Sequence, residues 1–438
     1  MYASCLPPFS GLRQQAAGKQ NENERKKYPV HFFYNDTSKQ PFPSRPAFEQ
    51  QDIKDWLREK GWVKRKPPQK NSFLLIIPVI ASNPSAGFIF GGGLNYAFKT
   101  KPTDEHVSAA SANATYSTKG LLNLNVKSNA FVKNERMIVN GDWRFLYNSE
   151  TTYGLGTIKY INGHINLNGY ETDTDSIGQT LKYNQIRIHE IGSWKILPRM
   201  PNFFAGLGFH YDHYYNIDDA SLDAGDTGRS HQYQYSIQHG FNPRHYSATG
   251  FSLNLLYDSR DNQINTYKGS YANINYRVNL TGLGSSQNST ILLLDLRTYL
   301  DLDRALYRHI LALWLYGNFV TSGNAPYLLL PAIGYDQRQK TGRGYTYGRF
   351  RGEDMLYGEG EYRFPISRRT GILGGILYLN CTTTTDRKND IQLFDYLRAA
   401  YGGGLRVMMD KKTRTRIDID VGIADRAVGI YFAAQETF

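Results

Sequence analysis

From residue 71 almost to the last residue, apolar and polar side chains alternate with a period of two, the spacing that sends successive side chains to opposite faces of a strand. In SYANINYRVNL, Ala272, Ile274, Tyr276, Val278 and Leu280 fall on one face, and Tyr271, Asn273, Asn275, Arg277 and Asn279 on the other. LLLDLRTYLDL sets Leu294, Leu296, Leu300 and Leu302 against Asp295, Arg297, Tyr299 and Asp301, and LNLNVKSNA sets Leu122, Leu124 and Val126 against Asn123, Asn125 and Lys127. In TRTRIDIDVGI the aliphatic set Ile417, Ile419, Val421 and Ile423 opposes Arg414, Arg416, Asp418 and Asp420. Residues 1–70 lack this pattern. They are polar and basic, with a Pro-rich spacer from Pro41 to Pro46 and one helical signal between Asp52 and Lys60. There Ile53, Trp56 and Leu57 stand at i, i+3 and i+4 and Gly61 is placed to stop the helix. Two regions are expected: a basic extension, 1–70, whose short amphipathic helix offers Ile53, Trp56 and Leu57 for docking, and a β domain, 71–438.

Alternation alone fits any antiparallel sheet with one wet face. Its extent discriminates. A soluble sandwich turns its apolar faces toward each other, whereas a transmembrane barrel turns them to lipid and keeps a polar, charged interior. Lipid also forces closure, because an open edge would leave backbone groups unpaired at several kcal/mol each. The expected fold is all-β: a closed antiparallel transmembrane β-barrel, multi-pass in a bacterial outer membrane. Dividing the region 71–438 by about 23 residues per strand and connection predicts about 16 strands. Short joins such as 82–87 contrast with long polar ones, 218–246 and 380–393, as expected of short periplasmic turns and longer external loops.

Composition narrows the function classes. The formal net charge of +12 suits an anionic neighbour, but the basic residues are spread along strands without the single basic face that nucleic acid needs; outer-membrane lipid, lipopolysaccharide included, is the expected partner. No apolar run approaches the ~18 residues of a spanning helix, since the longest, Phe73 to Ala81, contains Pro78. Met1 to Gln20 shows no apolar leader core, and Cys5 is taken as an ordinary cysteine rather than a lipidated one. Cys5 and Cys381 make neither a disulfide framework nor a zinc site, so no cofactor or metal is expected. His210 and His213 lie on opposite faces of one strand, and no nucleophile turn is evident, so no enzyme is expected. Asp218, Asp219, Asp223 and Asp226 have no defensible calcium-loop spacing.

The stretch GRGYTYGRFRGEDMLYGEGEYRFPI, residues 342–366, holds the most specific chemistry. Parity places Tyr357, Glu359, Glu361 and Arg363 on one face of a strand and Leu356, Gly358, Gly360, Tyr362 and Phe364 on the other, so the acids project inward. Gly342-Arg343-Gly344-Tyr345 and the strand 358–365 resemble the BamA/TamA-like outer-membrane assembly and translocation barrel superfamily, the bacterial surface antigen family. Tyr257-Asp258-Ser259-Arg260-Asp261-Asn262 with Lys268-Gly269, the strand Gly402-Gly403-Gly404-Leu405-Arg406, and Ile430-Tyr431-Phe432 through Phe438 carry the same resemblance. It implies that Arg343 sits on a loop folded into the barrel, with Glu361 as its partner and Glu359 beside it. Where the family places a second acid this chain has Asn380, one charge fewer. Phe438 shares parity with Ile430 and Phe432, so Phe432 and Phe438 are expected to face lipid, as in the terminal signal of outer-membrane barrels.

The resemblance further implies handling of polypeptide or lipid. Family members carry periplasmic polypeptide-binding domains that residues 1–70 cannot hold. An accessory or dedicated role in outer-membrane protein assembly or polypeptide translocation is therefore expected, with other outer-membrane or periplasmic proteins meeting residues 1–70. The alternative is a passive pore or a ligand-binding scaffold barrel in a larger complex.

Overall fold

The computed structural model describes residues 50–63 and 71–438, apart from 84–86, 102–103, 105, 159, 162–163, 168–169, 174–177, 198, 201, 220–229, 303–308, 368, 426 and 434–435. Cys5 and the Pro-rich spacer lie outside the described residues, as do Asp223 and Asp226. The chain divides into two compact units, Met1–Ala47 and Phe48–Phe438, and the second is described here.

Its first strands are β1 (Ser72–Asn83), β2 (Gly87–Phe98), β3 (Ser108–Ser117), β4 (Leu122–Val132) and β5 (Met137–Thr152). A separate small sheet follows: β6 (Tyr160–Ile161), β7 (His164–Leu167) and β8 (Tyr170–Asp173). Then come β9 (Gln179–Lys195), β10 (Phe203–Asp219), β11 (Tyr246–Asp258), β12 (Gly269–Asn279), β13 (Ser289–Asp301) and β14 (Ile310–Gly323). The last are β15 (Asp354–Pro365), β16 (Leu373–Thr384), β17 (Arg398–Asp410), β18 (Thr415–Ala424) and β19 (Ala427–Ala433). Apart from the small sheet, all join one antiparallel 16-stranded sheet in chain order. The strand count equals that expected from the spacing of the alternation.

The alternation has the predicted sides and the opposite sense to a water-soluble protein. Leu207 is 62% exposed, Leu253 64% and Phe432 66%, while Arg260, Arg343, Arg351 and Arg406 are among the largest fully buried side chains. A soluble domain hides its leucines and solvates its arginines. The sheet curls around the long β14–β15 connection, which touches strands far apart in its order: Lys127 of β4 donates to Gln339 at 3.1 Å, Arg351 meets Glu150 of β5 at 3.0 Å, and Tyr431 of β19 accepts from Gly344 N–H at 2.8 Å.

Antiparallel order sends every second connection to the same end of the sheet. The short 82–87 join therefore lies at the end of the long connections β5–β9, β10–β11, β14–β15 and β16–β17, not with the short turns as its length suggested. At the long-connection end an apolar cluster caps the concave side. It is built from Tyr183, Tyr214, Tyr246, Tyr327 and Leu328, with Tyr235 of helix α2 (His231–Gln238).

Helix α1 (Ile53–Glu59) forms within the expected span, with Asp52 as N-cap accepting from the N–H groups of Lys54 and Asp55, and Lys60 as C-cap. Its contacts with the sheet are ionic. Lys54 pairs with Asp410 at 3.3 Å and Asp55 with Lys411 at 2.8 Å, whereas none of Ile53, Trp56 and Leu57 is buried. The β17–β18 turn thus holds the polar face of α1 and leaves Ile53, Trp56 and Leu57 unburied. Burial pushes the Asp55 carboxyl up, but Lys411 and the Asp52 N–H outweigh it and hold it below the usual range.

Candidate functional site

The site is assembled by the connection between β14 and β15. It leaves the apolar cap through a 3₁₀ turn at Tyr327–Leu329, forms a bridge between Ala332 and Arg351, and sends its tip down the concave side. Arg351 anchors the base: it meets Glu150 of β5 and donates to Tyr327 O at 3.0 Å. The tip needs glycine twice. Gly342 has φ +78° and Gly344 φ +108°, and a Cβ on Gly344 would lie 2.8 Å from Ala400 Cβ, because the tip backbone is pressed against β17 and β18. Gly344→Ala is thus expected to cost about 1–3 kcal/mol of backbone strain, seen as a lower urea midpoint in lipid vesicles. An unchanged midpoint would mean that the tip is not pressed there.

Between those glycines Arg343 reaches three carboxylates. It meets Glu359 and Glu361 of β15, and its Nη1 donates to Asp420 Oδ2 of β18 at 2.9 Å. Its guanidinium lies over the Tyr378 ring, 3.7 Å from the centroid. Burial disfavours the arginine's charge, but the acids outweigh this and hold the guanidinium protonated well above its ordinary range. Tyr345 donates to Ala399 O at 2.9 Å. Asn380 takes no part in guanidinium pairing; its Nδ2 donates to Arg343 O at 2.9 Å. The acid that β16 lacks is thus made up from β18 by Asp420, a member of that strand's polar face.

The other predicted residues sort into separate places. Asp258 and Arg260 form a two-pronged pair at 2.9 and 2.7 Å, with Arg260 over the Tyr271 ring. Asp261 accepts from Tyr267 N–H at 3.0 Å and pairs with Arg414 at 2.7 Å. Gly269, at φ +110°, would place a Cβ 2.2 Å from Ser259 O, so only glycine fits. The turn these residues close is packed against other segments: Asn262 donates to Thr413 O at 3.2 Å, and Ile264 joins a buried cluster with Ala97 of β2 and Val107, just before β3. Phe432 is 66% exposed. Phe438, expected to face lipid, is instead 1% exposed and stacked on Trp314. Strand parity fails for it because β19 ends at Ala433, after which alternation no longer constrains direction.

One interior cluster escaped the sequence reading. Asp212 of β10 accepts from Arg187 at 2.6 Å, His189 at 2.8 Å and Arg277 at 2.8 Å. The available signal was parity, since Asp212 shares the face of His210. His210 and His213 do lie on opposite faces, bonded to Ser252 and Ser247, each at 2.8 Å. Among the described residues, no group of three or more His, Cys, Asp or Glu side chains is placed to hold a metal.

A model of the Omp85 superfamily domain matches residues 108–424. No curated protein matches the chain. Among solved structures it is similar to BamA from Haemophilus ducreyi lacking POTRA domains 1-3, at 13% identity and TM-score 0.49, covering 83% of this chain and 69% of that one. It is also similar to CdiB from Acinetobacter baumannii, at 13% identity and TM-score 0.49, covering 83% of this chain and 59% of that one, less than two thirds of its length.

Proposed function

This chain belongs to the Omp85 superfamily, and on that premise we propose that it is a closed outer-membrane barrel with a plugged lumen. Its role is accessory or dedicated to outer-membrane protein assembly or polypeptide translocation. Residues 71–438 are the barrel and residues 1–70 the extension through which other outer-membrane or periplasmic proteins engage it. The outward apolar band meets outer-membrane lipid, lipopolysaccharide included.

Closure is supported by contacts that bring the two ends of the sheet order together. Lys54 of α1 lies over the ring of Phe73 in β1, at 4.3 Å, while pairing with Asp410 of β17. Lys412 donates to Asn71, just before β1, at 2.7 Å. Ile264 clusters with Ala97 of β2 and Val107, just before β3, and its carbonyl oxygen accepts from Glu436 N–H, beyond β19, at 3.2 Å. Hydrocarbon around the outward leucines favours such closure, because it offers backbone groups no hydrogen bonds.

The observation that carries the plugged reading is the seating of Arg343 against three buried carboxylates. A loop held only by solvent contacts would leave the lumen open, whereas this one is fixed at its tip and, through Arg351, at its base. The test is conductance in planar bilayers. The intact protein is expected to conduct little, and deletion of residues 342–352 to raise conductance severalfold. Free conduction by the intact protein would support a passive pore instead. Insertion of client barrels by the reconstituted chain without a partner would overturn the accessory role.

A further inference from the structure

The residues described after β19 turn inward to the lumen. Glu436 accepts from Arg406 Nε at 3.0 Å and pairs with Arg416; its carbonyl oxygen accepts from Arg338 of the plug loop at 3.2 Å. Phe438 stacks on Trp314 with ring centroids 5.1 Å apart, and its carbonyl oxygen accepts from Arg363 at 3.1 Å. These arginines are shared. Arg406 also holds Asp420 at 2.5 Å, and Arg363 holds Glu361 at 2.8 Å. Asp420 and Glu361 are two of the three carboxylates that seat Arg343. Two routes of ion pairs and hydrogen bonds therefore connect the tail to the loop tip. One runs Glu436, Arg406, Asp420, Arg343; the other runs from the Phe438 carbonyl through Arg363 and Glu361 to Arg343.

We infer that residues 436–438 form a second plug element whose seating is energetically coupled to that of the loop tip, so that displacing the tail loosens the tip. The inference rests on the plugged-lumen reading and adds to it the means of release. In an interior with little water, each ion's lost hydration is offset only by its partners. Withdrawing Glu436 takes one acid from Arg416 and leaves Arg406 to lean on Asp418 and Asp420, and Asp420 is the acid it competes for with Arg343. Members of one buried network respond non-additively for this reason. A tail outside the circuit would respond independently.

Hydrogen exchange of the full-length protein in lipid vesicles tests the coupling. Glu436→Gln, which keeps shape and removes charge, is expected to speed exchange of the amides in 338–348 roughly tenfold, with little change for Lys54→Met, which lies outside the circuit. In an Arg343→Ala background, Glu436→Gln is expected to add little. Phe438→Leu, which leaves every side-chain ion pair intact, is the second probe and is expected to speed the same amides less. Unchanged exchange at 338–348 in either folded tail variant, or the same acceleration with and without Arg343, overturns the coupling. Conductance of the 342–352 deletion is a separate readout: if that deletion fails to open the pore, the plugged reading falls, whereas tail variants without effect beside an opened deletion sink the coupling alone.

Discussion

Arg343→Ala is expected to destabilise the folded protein by about 3–5 kcal/mol, the usual consequence of removing one partner from a buried ion cluster. Glu359, Glu361 and Asp420 converge on this guanidinium. Without it Glu359 keeps no arginine among the described residues, while Glu361 keeps Arg363 and Asp420 keeps Arg406. Glu359 would then have to take up a proton or admit water, and either result unseats the tip. Urea unfolding in vesicles reads the stability, and bilayer conductance reads the tip. Arg343→Lys is expected to fall between, because an ammonium keeps the charge but cannot match the planar fork that serves three acids at once. If Arg343→Ala leaves both stability and conductance at the parent values, the arginine is not the lock.

The second large effect concerns the opposite face. Leu253 stands near the middle of β11, 64% exposed, paired with Leu207 on one side and Tyr276 on the other. Leu253→Arg is expected to cost about 2–4 kcal/mol if that face meets the bilayer midplane. On a surface bathed in water the same change stays within about 0.5 kcal/mol. Reversible urea unfolding between vesicle-inserted and free protein distinguishes these outcomes. A negligible cost would remove the basis for reading residues 71–438 as membrane-spanning.

Much of the architecture was legible because alternation is a local property. Each pair of neighbouring side chains in a strand is forced to opposite sides, so Leu122, Ile274 and Ile417 could be separated from Asn123, Asn275 and Asp418 without knowing what any of them touches. The inward direction of Glu359, Glu361 and Arg363 followed from the same rule, and the glycines flanking Arg343 marked a tight tip. Legibility ended where strands end. An outward Phe438 follows only from continuing a parity that β19 does not sustain, and the turn 259–268 gives no sign that Ile264 packs with Ala97 and Val107. The seating of α1 was not legible for a related reason: its apolar residues were visible, but the ions at Asp410 and Lys411 that receive Lys54 and Asp55 belong to a turn more than 350 residues away.

The chain's own order of residues determined the strand period, the sign of each face, the number of strands and the presence of an arginine-bearing glycine tip, since all of these depend on neighbours within a few positions. Only the tertiary structure decided which carboxylates that arginine meets. Asp420 stands 77 positions beyond Arg343 and becomes its partner because the sheet curls. Curvature brings strands remote in sequence to face each other across a shared interior, where ions stripped of water take whichever opposite charge is within reach.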